Sequence, residues 1–205
     1  MPLRDHFRPP VSTCVSWEEI HGMWPARIVL QLRTVLPKGY VAGPKIHTGS
    51  QVETDVPDYD EYEVCIYDAE RGRQLVAAIE LVSPENKDRP QKRNAFVGKC
   101  AALLQKGVAV SIVDVVTPRQ FNLYAELLDF LGQNDQTLGE TLPHLYAASC
   151  RWRPLDKRML LQTWSHTLRL DRPLPTLPAW LTEKLAVPLD QEQSYEQARH
   201  DLWLT

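Results

Sequence analysis

The stretch from Leu75 to Lys87 reads Leu-Val-Ala-Ala-Ile-Glu-Leu-Val-Ser-Pro-Glu-Asn-Lys, and the rest of the chain is organised around it. Its first eight residues are apolar except for Glu80, which is typical of a short strand covered on both faces. Pro84 ends the strand, because proline cannot donate a ladder hydrogen bond. A carboxylate inside a buried strand is unfavourable unless a cation, a metal or hydrogen bonds compensate it. We therefore interpret Glu80 as an active-site acid, with an exposed surface ion pair as the alternative.

The sequence around this strand predicts a hairpin followed by a parallel crossover. Residues 62–68 alternate as a strand, residues 70–73 supply a turn, and the strand at 75–82 returns beside the first. A helix is predicted from about Asn94 to Gly107, and an apolar strand follows at 108–116. Because a strand, a helix and a second strand form a right-handed crossover, the two strands are predicted to be parallel.

The N-terminal part predicts an irregular lead-in and a long amphipathic helix. Ser16 and Glu19 form a capping box, so the helix is predicted to start at that point. Pro25 is expected to kink the helix or to begin a second one. A strand is predicted at 40–46, and the acid-rich segment 48–62 is interpreted as a solvated surface.

The C-terminal part is less regular than the rest of the chain. Further elements are predicted as a helix at 117–131, strands at 144–152, 159–165 and 167–171, an extended run at 173–189 and a helix at 190–203. The pattern favours one α/β domain over residues 1–205, with a core at about 16–131 and a C-terminal extension at 140–205 packed on it.

Composition narrows the function classes. The chain has 205 residues, of which 43% are hydrophobic and 24% charged, and its formal net charge is −3. That charge argues against indiscriminate attraction to nucleic acid or acidic membranes, although a local basic patch remains compatible with it. The 4 cysteines are scattered without a Cys-x-x-Cys pair, which fits a reducing cytoplasm. No segment has the pattern of a signal peptide or a membrane span.

Four ionisable side chains are predicted to meet at one site. Glu63 and Glu80 lie on the two strands of the predicted hairpin, Lys99 lies on the following helix, and Glu19 (or Glu18) lies on the N-terminal helix. Two neighbouring carboxylates repel each other unless a cation lies between them, and oxygen ligands suit Mg²⁺ or Mn²⁺. We therefore predict Glu63 and Glu80 as metal ligands, and Lys99 as the residue that orients water and stabilises charge on a phosphate.

A polar loop with several cations follows the central strand. Its basic residues are predicted to hold a phosphate backbone close to the carboxylates: Lys87, Arg89, Lys92 and Arg93. Other catalytic templates are missing from the sequence, which has no Gly-x-Ser-x-Gly elbow, no phosphate-binding Gly-rich loop and no His-Glu-x-x-His.

The chain resembles family 4058 of the domains of unknown function over roughly residues 16–203. The block after the central glutamate, Ser83-Pro-Glu-Asn-Lys87, is the most specific match. The weaker matches are Trp17-Glu-Glu-Ile-His21, Leu36-Pro-Lys-Gly-Tyr40, Ile79-Glu-Leu-Val82, Lys99 with its helix, and Val187-Pro-Leu189.

A more distant similarity is to the Uma-type restriction endonucleases. Their Glu-Val-Leu-Ser-Pro strand is similar to Glu80-Leu-Val-Ser-Pro84, and their lysine helix is similar to Lys99 through Val108. The resemblance implies the PD-(D/E)XK (restriction-endonuclease-like) fold, a mixed sheet flanked by helices, with Glu80 as the central acid. It also implies that the lysine has moved from the strand to the helix at Lys99, and that Glu63 replaces an upstream aspartate.

Two departures from the nuclease pattern keep a second hypothesis open. Val82 stands where the in-strand lysine belongs, and Asp55 or Asp68 could take the upstream role instead of Glu63. The sequence therefore supports two hypotheses: a Mg²⁺-dependent phosphodiester hydrolase acting on DNA or RNA, and a catalytically inactive nuclease-fold module. Nucleic acid and a second copy of the chain are the partners that we consider, and no membrane association is expected.

Overall fold

A computed structural model describes residues 2–44, 63–156 and 158–202. The helices are α1 (Val11–Cys14), α2 (Trp17–Val35), α3 (Pro90–Gln105), α4 (Leu123–Phe130) and α5 (Gln191–Asp201). The strands are β1 (Tyr40–Pro44), β2 (Glu63–Asp68), β3 (Gln74–Leu81), β4 (Ala109–Asp114), β5 (Tyr146–Leu155), β6 (Arg158–Thr167), β7 (Thr176–Trp180) and β8 (Ala186–Asp190). In this part of the chain no helix is both long and apolar enough to cross a membrane.

The main sheet has six strands in the order β1-β2-β3-β4-β5-β6. Among the strand pairs of the described residues only β3–β4 is parallel, and α3 connects these two strands, so the predicted hairpin and crossover are confirmed. The sheet is therefore mixed and flanked by helices, as an α/β fold requires. Since β5 pairs with β4, the first part of the predicted C-terminal extension belongs to the main sheet rather than to a layer packed on it.

The two faces of the sheet carry different layers. Glu63 and Glu80 lie on the face that meets α3, where Lys99 reaches them. Ser149 lies on the opposite face and donates a hydrogen bond to the carbonyl of Pro178 in β7. Helix α2 packs against β8 and α5, while α3 packs against α4. Both faces of the central strands are therefore covered, which explains their almost continuous apolar sequence.

Several element boundaries differ from the prediction, each for a local reason. Helix α2 runs through Pro25 without ending. Helix α3 begins at Pro90, because proline is well tolerated in the first turn. Helix α4 begins six positions later than expected, at Leu123, since Asn122 caps it by accepting from the amide of Ala125. Strand β1 is described only to Pro44, so the predicted end of that strand and the segment 48–62 lie outside the described residues.

The proline-rich run after residue 173 forms a second, two-stranded sheet rather than a simple extended segment. β7 pairs with β8 in antiparallel register, with Pro178 opposite Pro188. Proline is tolerated in this position because both strands of a two-stranded sheet are edge strands. No strand is present at 167–171 beyond Thr167, and Asp171 has a left-handed φ of 59°.

The N-terminal lead-in is fixed to the C-terminal part of the chain. The amide of Leu3 donates to the carbonyl of Arg172, and buried His6 hydrogen-bonds the hydroxyl of Tyr195 at 2.7 Å. Burial, together with the nearby guanidinium of Arg199, lowers the pKa of His6 to about 4. His6 is therefore held neutral at neutral pH in the folded protein.

This depressed pKa predicts acid sensitivity. Unfolding raises the pKa of His6 towards 6.5, so the unfolded chain binds the proton more readily and stability falls as the pH drops from about 6.5 to about 4. The contribution is about 3 kcal/mol by linkage. His6→Phe should lose less stability between pH 7 and pH 4.5 than the wild type does, in urea unfolding monitored by tryptophan fluorescence. An equal loss in the two proteins would show that His6 titrates normally.

Candidate active site

Two buried carboxylates face each other across the β2–β3 hairpin. Glu63 is the direct register partner of Glu80, and the two residues are 2% and 3% exposed. Opposed side chains in an antiparallel pair lie about 5 Å apart at Cβ, so the two negative charges are close neighbours. Of the alternative upstream acids, Asp68 lies at the far end of β2, where it accepts the amides of the hairpin turn, and Asp55 lies outside the described residues.

Lys99 supplies the cation between the two carboxylates. Its Nζ lies 2.7 Å from Oε2 of Glu80 and 3.7 Å from Oε2 of Glu63. The lysine projects from α3, and its side chain remains 19% exposed while both carboxylates are buried. The sequence prediction that Glu63, Glu80 and Lys99 come together agrees with this geometry. We call these three residues the carboxylate–lysine cluster.

Two cysteines lie beside the carboxylate–lysine cluster. The thiol of Cys65 donates to Oε1 of Glu63 at 3.2 Å. Cys100 is buried on α3, and burial, followed by the nearby Glu80 carboxylate, raises the pKa of its thiol well above the usual range. A thiol held protonated in this way is a poor nucleophile. The chemistry of the site therefore belongs to the carboxylates and Lys99.

His21 is a site residue that the sequence interpretation missed. It is 4% exposed and stacks on Trp17 with the ring centroids 4.8 Å apart. Its Nε2 lies 3.0 Å from the carbonyl oxygen of Leu81, the residue after Glu80. Since that carbonyl can only accept, His21 donates and ties α2 to the end of β3. No sequence signal marks this contact, because it joins residues 60 positions apart.

Lys87 does not lie where the sequence placed it. It was predicted to bind a phosphate backbone, yet its side chain is 0% exposed and its Nζ lies 2.8 Å from Oδ2 of Asp114. The ammonium group also donates to the carbonyl of His144 at 3.1 Å. A fully buried ammonium cannot contact a phosphate at the surface, so Lys87 is corrected from a substrate contact to a structural residue.

The turn before Lys87 explains the specific Ser-Pro-Glu-Asn-Lys block in structural terms. The amide and hydroxyl of Ser83 both donate to Oδ1 of Asn86, and the amide of Asn86 donates back to the hydroxyl of Ser83. This closed turn directs Lys87 into the core, where burial lowers its pKa and the neighbouring Asp114 opposes that shift. The block anchors the end of β3 immediately after Glu80.

The other predicted substrate contacts are engaged with acids. Arg89 contacts Asp88 at 3.3 Å with its side chain 72% exposed. Lys92 contacts Glu85, and Arg93 contacts Glu126 at 2.9 Å while lying over the ring of Phe121. Each of these three cations therefore has an acid beside it, and the acid beside Arg89, Asp88, is shared with Arg119 at 2.8 Å.

Glu19 acts as a helix cap. Its carboxylate accepts the amide of Ser16 at 2.8 Å, and the hydroxyl of Ser16 accepts the amide of Glu19. The backbone hydrogen bond from Ser16 lowers the pKa of Glu19. The side chain is exposed, unlike the buried carboxylates of the cluster, so the capping box accounts for Glu19 and its predicted catalytic role gains no support.

Comparisons with protein-family models, with curated proteins and with solved structures found no match for this chain. The function must therefore be inferred from the geometry of the chain itself. Within residues 2–44, 63–156 and 158–202 no group of three or more His, Cys, Asp or Glu side chains is arranged to hold a metal ion. The carboxylate–lysine cluster offers two carboxylates and one ammonium.

A cleft of about 830 Å³ lies at the other end of the β2–β3 hairpin, near Asp68 and Gln74. Its walls include Arg151, whose guanidinium lies 3.3 Å from the ring centroid of Trp180 and donates to Gln162 and to two backbone carbonyls. Arg151 thus joins the β5–β6 hairpin to the loop after β7 through four hydrogen bonds. None of the three cluster residues lines this cleft.

Proposed function

We propose that this protein is a metal-dependent phosphodiester hydrolase of the PD-(D/E)XK type that acts on DNA or RNA. The observation that carries the proposal is the direct pairing of Glu63 with Glu80 beside Lys99, on two central strands of a mixed sheet flanked by helices. Burying two opposed carboxylates costs free energy, and groups of this kind occur more often at functional sites than elsewhere, which favours a catalytic origin over a purely structural one.

The donor set fits a hard divalent cation. Glu63 and Glu80 offer only carboxylate oxygens, which Mg²⁺ and Mn²⁺ accept. Mg²⁺ keeps several water ligands and is commonly held by one or two carboxylates together with substrate phosphates, so two protein ligands are enough. When bound, the ion supplies Lewis acidity at the scissile phosphate.

Lys99 has the position needed to assist the reaction from the protein side. One hydrogen of its ammonium group is directed at Oε2 of Glu80, and an ammonium group carries three donors. Because the side chain is partly exposed, another donor can reach a phosphate oxygen or a water molecule at the surface. In this role Lys99 orients the attacking water and stabilises the negative charge that develops on the phosphate.

Three observations favour a second candidate function, a catalytically inactive nuclease-fold module. The ammonium group of Lys99 contacts both carboxylates and can itself replace a metal ion. The predicted phosphate-binding residues Arg89, Lys92 and Arg93 contact acids. Val82 occupies the position of the in-strand lysine. In the inactive module, Lys99 neutralises the two carboxylates, and the carboxylate–lysine cluster holds the hairpin against α3.

Mn²⁺ binding and cleavage separate the two candidates. We expect the purified protein to bind Mn²⁺ in isothermal titration calorimetry and to cleave a panel of single-stranded DNA, duplex DNA and RNA only when Mg²⁺ or Mn²⁺ is present. Glu80→Gln should remove Mn²⁺ binding and lower the cleavage rate by about 100-fold or more, as expected for the loss of a charge-stabilising group. Lys99→Ala should lower the rate while Mn²⁺ binding persists.

Glu140→Gln is the matched control, because it removes one exposed carboxylate far from the hairpin in sequence and should leave binding and cleavage unchanged. Equal cleavage by the wild type and Glu80→Gln would identify a contaminating nuclease. A wild type that neither binds Mn²⁺ nor cleaves any substrate would contradict the hydrolase and leave the inactive module.

A further inference from the structure

Strand β6 forms a long open edge of the main sheet. It contains ten residues and pairs with β5 on one side, and it is the last strand in the sheet order of the described part of the chain. An open edge presents unpaired amide and carbonyl groups that can pair with another strand. Proteins usually block such edges with short strands, proline or charged side chains.

β6 lacks these blocking features, whereas the opposite edge has them. The sequence of β6 is Arg-Met-Leu-Leu-Gln-Thr-Trp-Ser-His-Thr, with no proline and with Arg158 as its one Lys, Arg, Asp or Glu side chain. β1 at the other edge has five residues and includes Gly43 and Pro44. β6 also carries two adjacent exposed apolar side chains, since Met159 is 58% exposed and Leu160 is 42% exposed.

We propose that β6 pairs with β6 of a second copy of this chain, in antiparallel register centred on Gln162. A two-fold axis perpendicular to the sheet keeps each residue on its own face, so opposed residues must differ by an even number of positions. Centring on Gln162 places Leu160 opposite Trp164 of the second copy, on the same face. Aliphatic and aromatic side chains opposed in this way stabilise strand pairing.

The arginine of β6 does not face its own copy in this arrangement. In the Gln162-centred register Arg158 lies opposite His166 of the second copy, at the ends of the paired region, so the two arginines lie apart. The neighbouring register, centred on Thr163, would place Leu160 opposite His166 and Trp164 opposite Gln162, so it would lose the apolar match. Self-pairing also doubles each favourable contact, since a two-fold interface contains every contact twice.

Sedimentation of the full chain with single-residue variants tests the proposal. We expect the wild type to sediment as a dimer at micromolar concentration. Leu160→Lys should raise the dimer dissociation constant by at least about 10-fold, because it replaces two cross-strand apolar pairs with two charged side chains. Leu30→Lys is the matched control: Leu30 is 45% exposed on α2, and this variant should remain dimeric.

Spin labels on Met159→Cys test the register without relying on the charged variant. The background is Cys14→Ser, since Cys14 is the exposed cysteine and the other three are buried. In the proposed register Met159 lies opposite Ser165 of the second copy, so the two labelled positions are about 20 Å apart along the strand. A monomeric wild type, a dimer that Leu160→Lys leaves intact, or labels far beyond this separation would each overturn the proposal.

Discussion

Replacing Lys87 by methionine is expected to lower the free energy of unfolding by about 3–5 kcal/mol. Methionine keeps most of the volume of the lysine side chain, so the loss reports the charge and not a cavity. The ammonium group of Lys87 lies 2.8 Å from Asp114, and both side chains are 0% exposed. Removing the ammonium group leaves the buried carboxylate of Asp114 without its cation. A buried charge without a partner is strongly destabilising.

The effect of Lys87→Met should depend on pH. Burial already raises the pKa of Asp114, and Lys87 opposes that shift. Without the ammonium group the pKa of Asp114 rises further, so the folded variant takes up a proton that the unfolded chain does not hold at neutral pH. Stability is then lost as the pH rises, and the deficit relative to the wild type should be larger at pH 8 than at pH 6 in urea unfolding.

Two variants serve as controls for Lys87→Met. Arg89→Met removes an exposed partner of Asp88 and should change the free energy of unfolding by less than about 1 kcal/mol. Lys87→Met/Asp114→Asn should recover part of the lost stability, because asparagine is neutral and can still accept the amide of Val116. A single variant that remains as stable as wild type would show that the ion pair is not buried in solution.

Replacing Lys99 by methionine is expected to give the second large effect, a loss of about 3 kcal/mol. The substitution removes the ammonium group that contacts both Glu80 and Glu63 and leaves two opposed carboxylates in the hairpin. Repulsion between the two carboxylates is then uncompensated, so the folded state loses free energy. Urea unfolding of the wild type and Lys99→Met at neutral pH measures this difference, and equal stability of the two proteins would contradict it.

The stability of Glu80→Gln distinguishes a metal-binding role of the carboxylate–lysine cluster from a structural role. If Glu80 is kept for metal binding, neutralising it relieves repulsion with Glu63 and the protein without metal becomes no less stable. If the Glu80–Lys99 pair is structural, Glu80→Gln loses stability in the same way as Lys99→Met. In either case Lys99→Met/Glu80→Gln should be more stable than Lys99→Met alone, because one carboxylate is gone. A double variant less stable than the single variant would contradict the proposed repulsion.

Much of the site was predictable because its geometry follows from strand and helix periods. Glu63 and Glu80 share a face only because the register shifts by one residue between Ile66 and Tyr67. The register at the turn, where Asp68 pairs with Gln74, would by itself place Glu63 opposite Ile79, and a shift of one residue moves a side chain to the other face. Lys99 reaches them because it lies at the border of the apolar stripe of α3, from which a lysine side chain can extend to the edge of the core. Local sequence rules therefore placed the three residues on neighbouring elements, and the bulge brought the two carboxylates together.

The surrounding residues were not predictable, because their roles depend on partners far away in the chain. Lys87 belongs to a polar run that looks solvent-exposed until the Ser83–Asn86 turn directs it towards Asp114. His21 looks like any residue in an early helical turn until α2 packs against the end of β3. The cations Arg89, Lys92 and Arg93 form a patch in the sequence, but folding places acids beside them.

The sequence by itself determined the strand that contains Glu80, the hairpin and the parallel crossover, since each follows from a short-range period or turn. The bulge between Ile66 and Tyr67, which places Glu63 opposite Glu80, belongs to the folded sheet. Only the tertiary structure decided which charges are buried, which are neutralised and which edge of the sheet stays open. Those outcomes depend on desolvation and on packing between elements that are far apart in the chain, such as α2 with α5 and β4 with β5. Whether a side chain is buried depends on the whole folded structure. No local sequence pattern therefore predicts that Lys87 is buried or that the edge of β6 is exposed.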